Sequence, residues 1–432
     1  MNVDTQKKQE LFRRTLVGLE ESIRQYMPEC AYREFCLWAL GAEEPVREGF
    51  LKLLGVPQLV QLTVSLLGGT VAEQDWGRLI GATVPMSVYL TYEVISDNLA
   101  IGLAAPAPPT EEVAVRRKVL LAFNEAMVQR IQGNPLPAYA LLAPVRSIAE
   151  QVSSFEQSLS PGKHRSLAKQ FLAQHGHVSM HGLEHSLWPG LLANIESCAA
   201  LARSLGGSQI ALGVREGLAN RYRGVTRLLE SPFMPLSRRL EIGVDTILVE
   251  PVLGYSAGLL GDIHQPEAFP EVIADGSLAE ALYTAAFLVR LLNDVGTTLL
   301  SQSEGERELL IETLRKEARG APSFSRLLLD SAERFGPMMT RLQKDLEHGE
   351  FNLCIPSAVN LPAAQCLPLF VDRLTQVSAL YARGKLRLRE LLDGLSERLD
   401  QGAISQVIGR FVSFHERLYT HHYSDSRGEY AV

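Results

Sequence analysis

A short stretch near position 290 carries polar side chains in otherwise apolar sequence. Ala279 to Val289 contains no Gly or Pro and is almost entirely apolar, which predicts a buried helix leading into this stretch. Asn293, Thr297 and Ser301 follow at intervals of four, so a continuous helix would place them on one face. Arg290 lies three residues before Asn293, on the same side of that helix.

Oxygen-bearing side chains beside a fixed cation could hold magnesium together with a diphosphate. Magnesium takes few protein oxygens and completes its coordination shell with phosphate and water. The alternative is a core helix whose Asn, Thr and Ser side chains bond to neighbouring helices, which would satisfy the same buried polar groups.

The sequence Arg-Leu-Leu-Asn-Asp-Val-Gly-Thr, from Arg290 to Thr297, resembles the second metal motif of class I terpene synthases. That motif reads (N/D)DxxSxxxE, with an arginine three residues earlier. The resemblance implies that Asn293 and Thr297 bind magnesium and that Arg290 contacts the diphosphate of the substrate. Ser301 occupies the place of the third ligand, a glutamate in the family. The nearest glutamates that follow are Glu304 and Glu306.

Two carboxylates lie on a second apolar segment, predicted to be helical over about 72–103. Glu93 and Asp97 are one helical turn apart, so both project to one side. Two such anions need a neighbouring cation, a metal ion or raised pKa values. An exposed helix end near the following proline-rich loop is the alternative. The segment is similar to DDxxD, the first metal motif of the same family, with Val94 at the second position. The resemblance implies that Glu93 and Asp97 bind magnesium.

The segment Pro235–Asp245 resembles the diphosphate-sensing region of bacterial terpene synthases. Arg239 stands at the sensor position, Ile242 at the linker position and Gly243 at the position of the effector, whose backbone carbonyl faces the carbocation in the family. A glycine inside a helix costs about 1 kcal/mol relative to alanine, which suggests a helix break or a close backbone approach. A helix start with an exposed arginine pair is the alternative.

Two residues on the last predicted helix, Arg417 and Tyr419, correspond to an Arg–Tyr pair that closes over the diphosphate in the family. In this chain one residue separates them. A frayed polar C-terminal helix would explain the same residues.

A group of histidines offers a different chemistry. His177, His181 and His185 recur every four residues, and Glu184 lies beside them. On one helix, imidazoles at this spacing can share a transition metal. A heme-oxygenase-like or four-helix non-haem iron oxygenase using His177, His181 and Glu184 is therefore an alternative. A polar helix face at the surface or at a subunit contact is the structural alternative.

The composition bounds the class of protein. The chain has 432 residues, 46% of them hydrophobic and 21% charged, with a formal net charge of -7. The negative charge argues against a nucleic-acid surface. Five scattered cysteines without a CxxC pair predict reduced thiols in a cytoplasmic protein. The polar N-terminus predicts no signal peptide, and interrupted apolar runs predict no transmembrane segment.

Helical periodicity dominates the chain, which predicts an all-α fold. We expect one domain over 1–432, a large helical bundle of the class I terpenoid synthase type, with a helical insertion around 135–205. The predicted helices cover about 5–27, 30–41, 44–54, 57–67, 72–103, 110–132, 136–159, 163–187, 190–205, 208–230, 234–260, 276–302, 306–318, 322–347, 361–396 and 401–423.

The resemblance implies a class I terpene synthase or cyclase. Such an enzyme uses magnesium to ionise an allylic prenyl diphosphate and then cyclises the carbocation, so it is a carbon–oxygen lyase. Its partner would be the small-molecule substrate, and a homodimer is possible for this family. A non-catalytic descendant of the same fold is a further alternative, because Val94 and Ser301 depart from the motifs.

Overall fold

The computed structural model describes residues 3–104, 110–156, 160–231, 234–399 and 402–420. Within these ranges the regular elements are helices and no strand occurs. The predicted all-α class is therefore confirmed. The terpenoid synthase type stays a prediction.

The described residues up to 231 form twelve α-helices: α1 Val3–Tyr26, α2 Ala31–Gly41, α3 Val46–Leu53, α4 Val56–Leu67, α5 Glu73–Ala100, α6 Glu111–Ile131, α7 Ala138–Leu141, α8 Arg146–Ala149, α9 Pro161–Leu172, α10 Met180–Glu184, α11 Leu187–Ser204 and α12 Gln209–Glu230. The described part of the second half adds ten: α13 Leu236–Asp245, α14 Val249–His264, α15 Phe269–Ala274, α16 Ser277–Val295, α17 Thr297–Leu300, α18 Glu304–Glu317, α19 Phe324–Phe335, α20 Thr340–Glu347, α21 Ala363–Arg398 and α22 Ala403–Leu418.

The helices form two compact units. Unit 1 comprises the described residues of Met1–Ala100, Glu111–Arg223 and Gly254–Gln265. Its core lies where α5 and α11 pack together, with α1 and α6 against them. Tyr89 and Leu191 are fully buried there, because the apolar residues of both helices recur at helical spacing and face each other.

Unit 2 comprises the described residues of Ile101–Thr110, Gly224–Leu253 and Pro266–Val432. Its central helix is α16, which packs against α13, α20, α21 and α22. Most of α16 is buried, as its apolar sequence predicts.

Several long helices of the prediction are broken in the structure. In its described part, 136–156, the predicted range 136–159 holds α7, a 3₁₀ turn and α8. The range 322–347 holds α19, a 3₁₀ turn and α20. The range 234–260 is divided by a turn in which Leu248 has a φ of 57°. The range 163–187 is divided after Leu172, and α10 starts anew where Ser179 Oγ accepts a hydrogen bond from the Gly182 amide at 3.1 Å.

Among the described residues, one helix, α5, is long and apolar enough to cross a membrane by length and composition alone. Two bent pairs, α3 with α4 and α13 with α14, would meet the same test if each pair were one span. The expectation of no transmembrane segment stays a prediction.

Candidate functional site

The residues proposed for the site fall into both units. Glu93 and Asp97 belong to unit 1. The others belong to unit 2: Arg239, Gly243, Arg290, Asn293, Thr297, Ser301, Arg417 and Tyr419.

In unit 1 a single arginine contacts both carboxylates of the acidic pair. Arg221 on α12 places its Nε 3.7 Å from Glu93 Oε2, and its Nη2 donates to Asp97 Oδ1. Glu93 is only 4% exposed, whereas the side chain of Asp97 is 64% exposed. The cation that two neighbouring anions require is thus supplied by the chain itself.

Two tyrosines surround the buried end of this pair. Tyr222 donates to Glu93 Oε1, and the hydroxyls of Tyr222 and Tyr89 lie 2.7 Å apart. Burial raises the pKa of Glu93, which the nearby Arg221 opposes. Burial also raises the pKa of both tyrosines well above the usual value, so they remain protonated and can donate.

In unit 2, Arg290 is held by groups of the protein. Its Nη2 donates to Asp294, four residues later on α16, which is fully buried. Its other contacts are the carbonyl of Phe351 and Thr246 Oγ1, each at 3.3 Å. Asp294 Oδ2 also accepts from the Leu353 amide at 2.9 Å. Arg290 and Asp294 therefore form a buried ion pair supported by hydrogen bonds.

Asn293 accepts two hydrogen bonds at its side-chain oxygen. Arg341 Nη2 lies 3.1 Å from Oδ1, and the hydroxyl of Tyr419 lies 2.9 Å from the same atom. The guanidinium of Arg341 also stands over the ring of Tyr419, 5.2 Å from its centroid. Its Nη2 is 3.4 Å from Asp345 Oδ1. The structure thus brings Asn293 and Tyr419, both proposed from the sequence, into direct contact.

The helix that was predicted to carry Asn293, Thr297 and Ser301 on one face is not continuous. It ends at Val295 because Gly296 has a φ of 87°, a conformation that favours glycine. Thr297 begins the short α17 and its hydroxyl donates to the carbonyl of Glu416 at 2.6 Å. Ser301 follows α17 and is exposed. The predicted column of three oxygens on one helix is therefore wrong.

These contacts bear on whether magnesium fits the proposed ligands. Glu93 is buried with Tyr222 and Arg221 on its oxygens, and Asn293 Oδ1 faces the cationic Arg341. A magnesium ion keeps several waters and is repelled by a guanidinium at the same oxygen. As placed, these two residues do not fit a magnesium ion.

Arg239 is a buried cation close to the Arg290–Asp294 pair. It is 5% exposed, stands over the ring of Phe351 at 4.9 Å, and donates to Ser357 Oγ at 3.3 Å. Burial lowers its pKa to about 10, and the nearby charge of Arg373 acts in the same direction. Phe351 and Ser357 belong to the segment 351–357 between α20 and α21, whose residues contact the surrounding arginines.

Gly243 does not break its helix, which continues to Asp245. A Cβ at this position would lie 3.4 Å from Arg290 Nε. This is an ordinary contact, so neither the helix break nor the close backbone approach suggested by the glycine is present at Gly243. The carbonyl of Gly243 accepts from Thr246 Oγ1 at 2.8 Å. On α22, the last described helix, Arg417 is exposed, while Tyr419 follows the helix end.

The histidine group does not lie on one helix. His177 is in the turn before α10, with its Nε2 3.3 Å from Glu34 Oε2. His181 and His185 have ring centroids 4.0 Å apart, and Glu184 accepts from Arg165 at 2.7 Å. Within the described ranges, no three His, Cys, Asp or Glu side chains are grouped so that they could hold a metal ion.

Several residues of these clusters were missed by the sequence argument. The spacing of Arg290 and Asp294, four apart on a helix, is typical of an ion pair and could have revealed it. Arg341 and Asp345 have the same spacing and also form an ion pair. The remaining missed residues come from distant segments without such a local signal: Arg221, Tyr222 and Asn352.

Comparison of the chain with models of known protein families, with curated proteins and with solved structures gave no match. The relation to class I terpene synthases thus remains a resemblance of motifs.

Proposed function

We propose that the chain is a lyase of the class I terpene synthase kind, which binds a prenyl diphosphate through the arginines of unit 2. The observation that carries the proposal is the hydrogen bond from Tyr419 to Asn293. The two residues lie 126 positions apart and were proposed from different motifs. Asn293 was proposed to bind the magnesium that holds the diphosphate, and Tyr419 to contact the diphosphate itself. Their contact supports a common site in unit 2.

The charge of this region also supports the proposal. We define the arginine cluster as Arg239, Arg290, Arg341 and Arg373. The segment 351–357 contacts three of them directly and reaches Arg341 through Asn352 and Asp345. Phe351 contacts the first two, and Ile355 accepts from Arg373 at 3.1 Å. The buried carboxylates within it are Asp294 and Asp345. Asn352 Nδ2 donates to the backbone carbonyl of Asp294 at 2.7 Å and to Asp345 Oδ2 at 2.8 Å. Four guanidinium groups beside two carboxylates favour an anionic ligand.

A diphosphate is an anion for which this cluster is suited. Planar guanidinium groups bind phosphate oxygens through paired N–H donors. When the carbon–oxygen bond of an allylic diphosphate breaks, the electron pair leaves with the diphosphate and a carbocation remains. Arginines already in place stabilise the charge that develops on the leaving group. Cyclisation and loss of a proton would then complete the reaction.

A second candidate is binding of a prenyl diphosphate without turnover. It is favoured by one observation: Arg221 and Arg341 contact the oxygens that the motifs assign to metal. A descendant of the fold that lost its metal ligands would show such contacts.

The test is incubation of the purified chain with geranyl, farnesyl and geranylgeranyl diphosphates, with and without magnesium. Released diphosphate and volatile products report turnover, and calorimetry reports binding. We expect Arg239→Gln to weaken binding at least about tenfold through loss of a charged contact. The matched control is Arg238→Gln, because Arg238 is an exposed neighbour paired with Glu241 at 2.6 Å.

The outcomes separate the two candidates. Turnover that falls in Arg239→Gln and not in Arg238→Gln supports the lyase. Saturable binding without products supports the second candidate. If the chain neither binds nor turns over any of the three substrates, both candidate functions are overturned. If the two variants have equal effects, the arginine cluster is not part of the site.

A further inference from the structure

The acidic pair of unit 1 is neutralised from within the protein. Arg221 lies between Glu93 and Asp97, with Nε near one carboxylate and Nη2 bonded to the other. A guanidinium presents N–H donors on several edges, so one side chain can serve two carboxylates at once. This is the position that a divalent ion would occupy if the two carboxylates shared it.

The remaining coordination space is also taken. Tyr222 donates to the second oxygen of Glu93, and the Tyr222 hydroxyl itself lies 2.7 Å from that of Tyr89. All of these groups except Asp97 are buried. A hydrated divalent ion would have to displace Arg221 and enter a region enclosed by tyrosine rings.

We infer that Arg221 is the built-in cation of the Glu93–Asp97 pair and takes the place of a divalent metal there. Like charges repel, so the guanidinium and a divalent ion exclude each other from these oxygens. The inference concerns unit 1 alone and does not rest on the proposed function. If the chain turns over a prenyl diphosphate, any dependence on metal then has its origin outside this pair.

The test uses the purified full chain without substrate and follows Mn²⁺ by electron paramagnetic resonance. Mn²⁺ prefers oxygen ligands as magnesium does, and its sharp aqueous signal is lost on binding. We expect Asp97→Ala to leave the Mn²⁺ binding of the wild-type protein unchanged. We expect Arg221→Ala, which vacates both carboxylates, to gain a site of at least about tenfold higher affinity than the wild type shows there.

The gained site should disappear in the double variant Arg221→Ala/Asp97→Ala. The matched control is Arg223→Ala, which removes an arginine of the same helix that pairs with Glu216 at 2.5 Å. We expect no gain of Mn²⁺ binding in this control.

Two results would overturn the inference. One is a Mn²⁺ ion on the wild-type protein that Asp97→Ala removes. The other is a folded Arg221→Ala protein that gains no site. If Arg221→Ala does not fold, the comparison of wild type with Asp97→Ala decides, since it needs no change at Arg221.

Discussion

The hydroxyl of Tyr419 donates a hydrogen bond to Asn293 Oδ1 over 2.9 Å. It joins the residue that follows the last described helix to the end of α16, the central helix of unit 2. Arg341 donates to the same oxygen and stands over the tyrosine ring. The position of the Asn293 side chain is therefore fixed by two donors from separate segments.

Replacement of Tyr419 by phenylalanine should lower the free energy of unfolding by about 1 kcal/mol, the usual worth of one hydrogen bond. Under the proposed function it should also weaken substrate binding, because Asn293 loses one of its two donors. Tyr381→Phe is the matched control, since it removes a hydroxyl that donates to Glu416 at 2.6 Å. Urea denaturation and turnover assays measure the two effects. Equal losses of turnover in both variants would count against a role for the Tyr419–Asn293 contact.

Gly243→Ala separates packing from function. The added methyl group would lie 3.4 to 3.7 Å from the Arg290 side chain, which is ordinary contact. Because alanine favours a helix over glycine, we expect the free energy of unfolding to stay level or to rise by up to about 1 kcal/mol. If Gly243 acts as the effector that the resemblance implies, turnover should nevertheless fall. A stable variant with wild-type turnover would argue against an effector role for Gly243.

A double-mutant cycle tests the ion pair of unit 1. Arg221→Met leaves carboxylates without their cation and should lower the free energy of unfolding by about 3 kcal/mol or more. Glu93→Gln in the same chain removes the buried charge, so the double variant should lose less than the sum of the single variants. Chemical denaturation measures all four proteins. Additive effects would mean that Arg221 and Glu93 do not interact.

The stability of unit 1 should depend on pH through His164. Burial lowers the pKa of this residue from 6.5 to about 4, and its ring stacks on Phe155 at 5.2 Å. Below pH 6.5 the unfolded chain therefore binds a proton that the folded chain does not. As the pH is lowered from 6.5 towards about 4, the free energy of unfolding decreases.

His164→Phe keeps a ring at this position and removes the titration. Between about pH 7.5 and about pH 5, we expect the wild type to lose on the order of 2 kcal/mol more than the variant. Urea denaturation at the two pH values measures the difference. His415, whose pKa burial also lowers to about 4, is unchanged in both proteins and contributes equally. Identical pH profiles would show that His164 is not held neutral by the fold.

The sequence predicted the helices well where apolar periodicity is strong. It did not predict the positions at which the helices break. The buried helix α16 and the long α5 were expected because their patterns are unambiguous. The end of α16 was missed because the stretch after Gly296 keeps the apolar pattern, and only a φ of 87° at that glycine shows the break. Periodicity reports which face is buried and does not report a local change of backbone direction.

The candidate site was predicted only in part for a related reason. Residues within one helix can be placed by their spacing, which is why the closeness of Glu93 and Asp97 could be anticipated. Their counter-ion Arg221 lies 124 residues from Asp97, and no local pattern connects the two. The same holds for Arg341 beside Asn293, 48 residues apart. Such partners follow from the packing of helices, which one sequence does not determine by spacing.

Thr297 joins α22, the last described helix, to the centre of unit 2. Its hydroxyl donates to the carbonyl of Glu416, and its amide donates to that of Tyr419 at 3.2 Å. A change of this threonine would loosen α22 and, with it, the tyrosine on Asn293. A loss of activity in Thr297→Ala would then resemble the loss of a metal ligand, although its cause would be that α22 no longer packs on unit 2. Shortening the chain from its C-terminal end into α22 should reproduce the same defect.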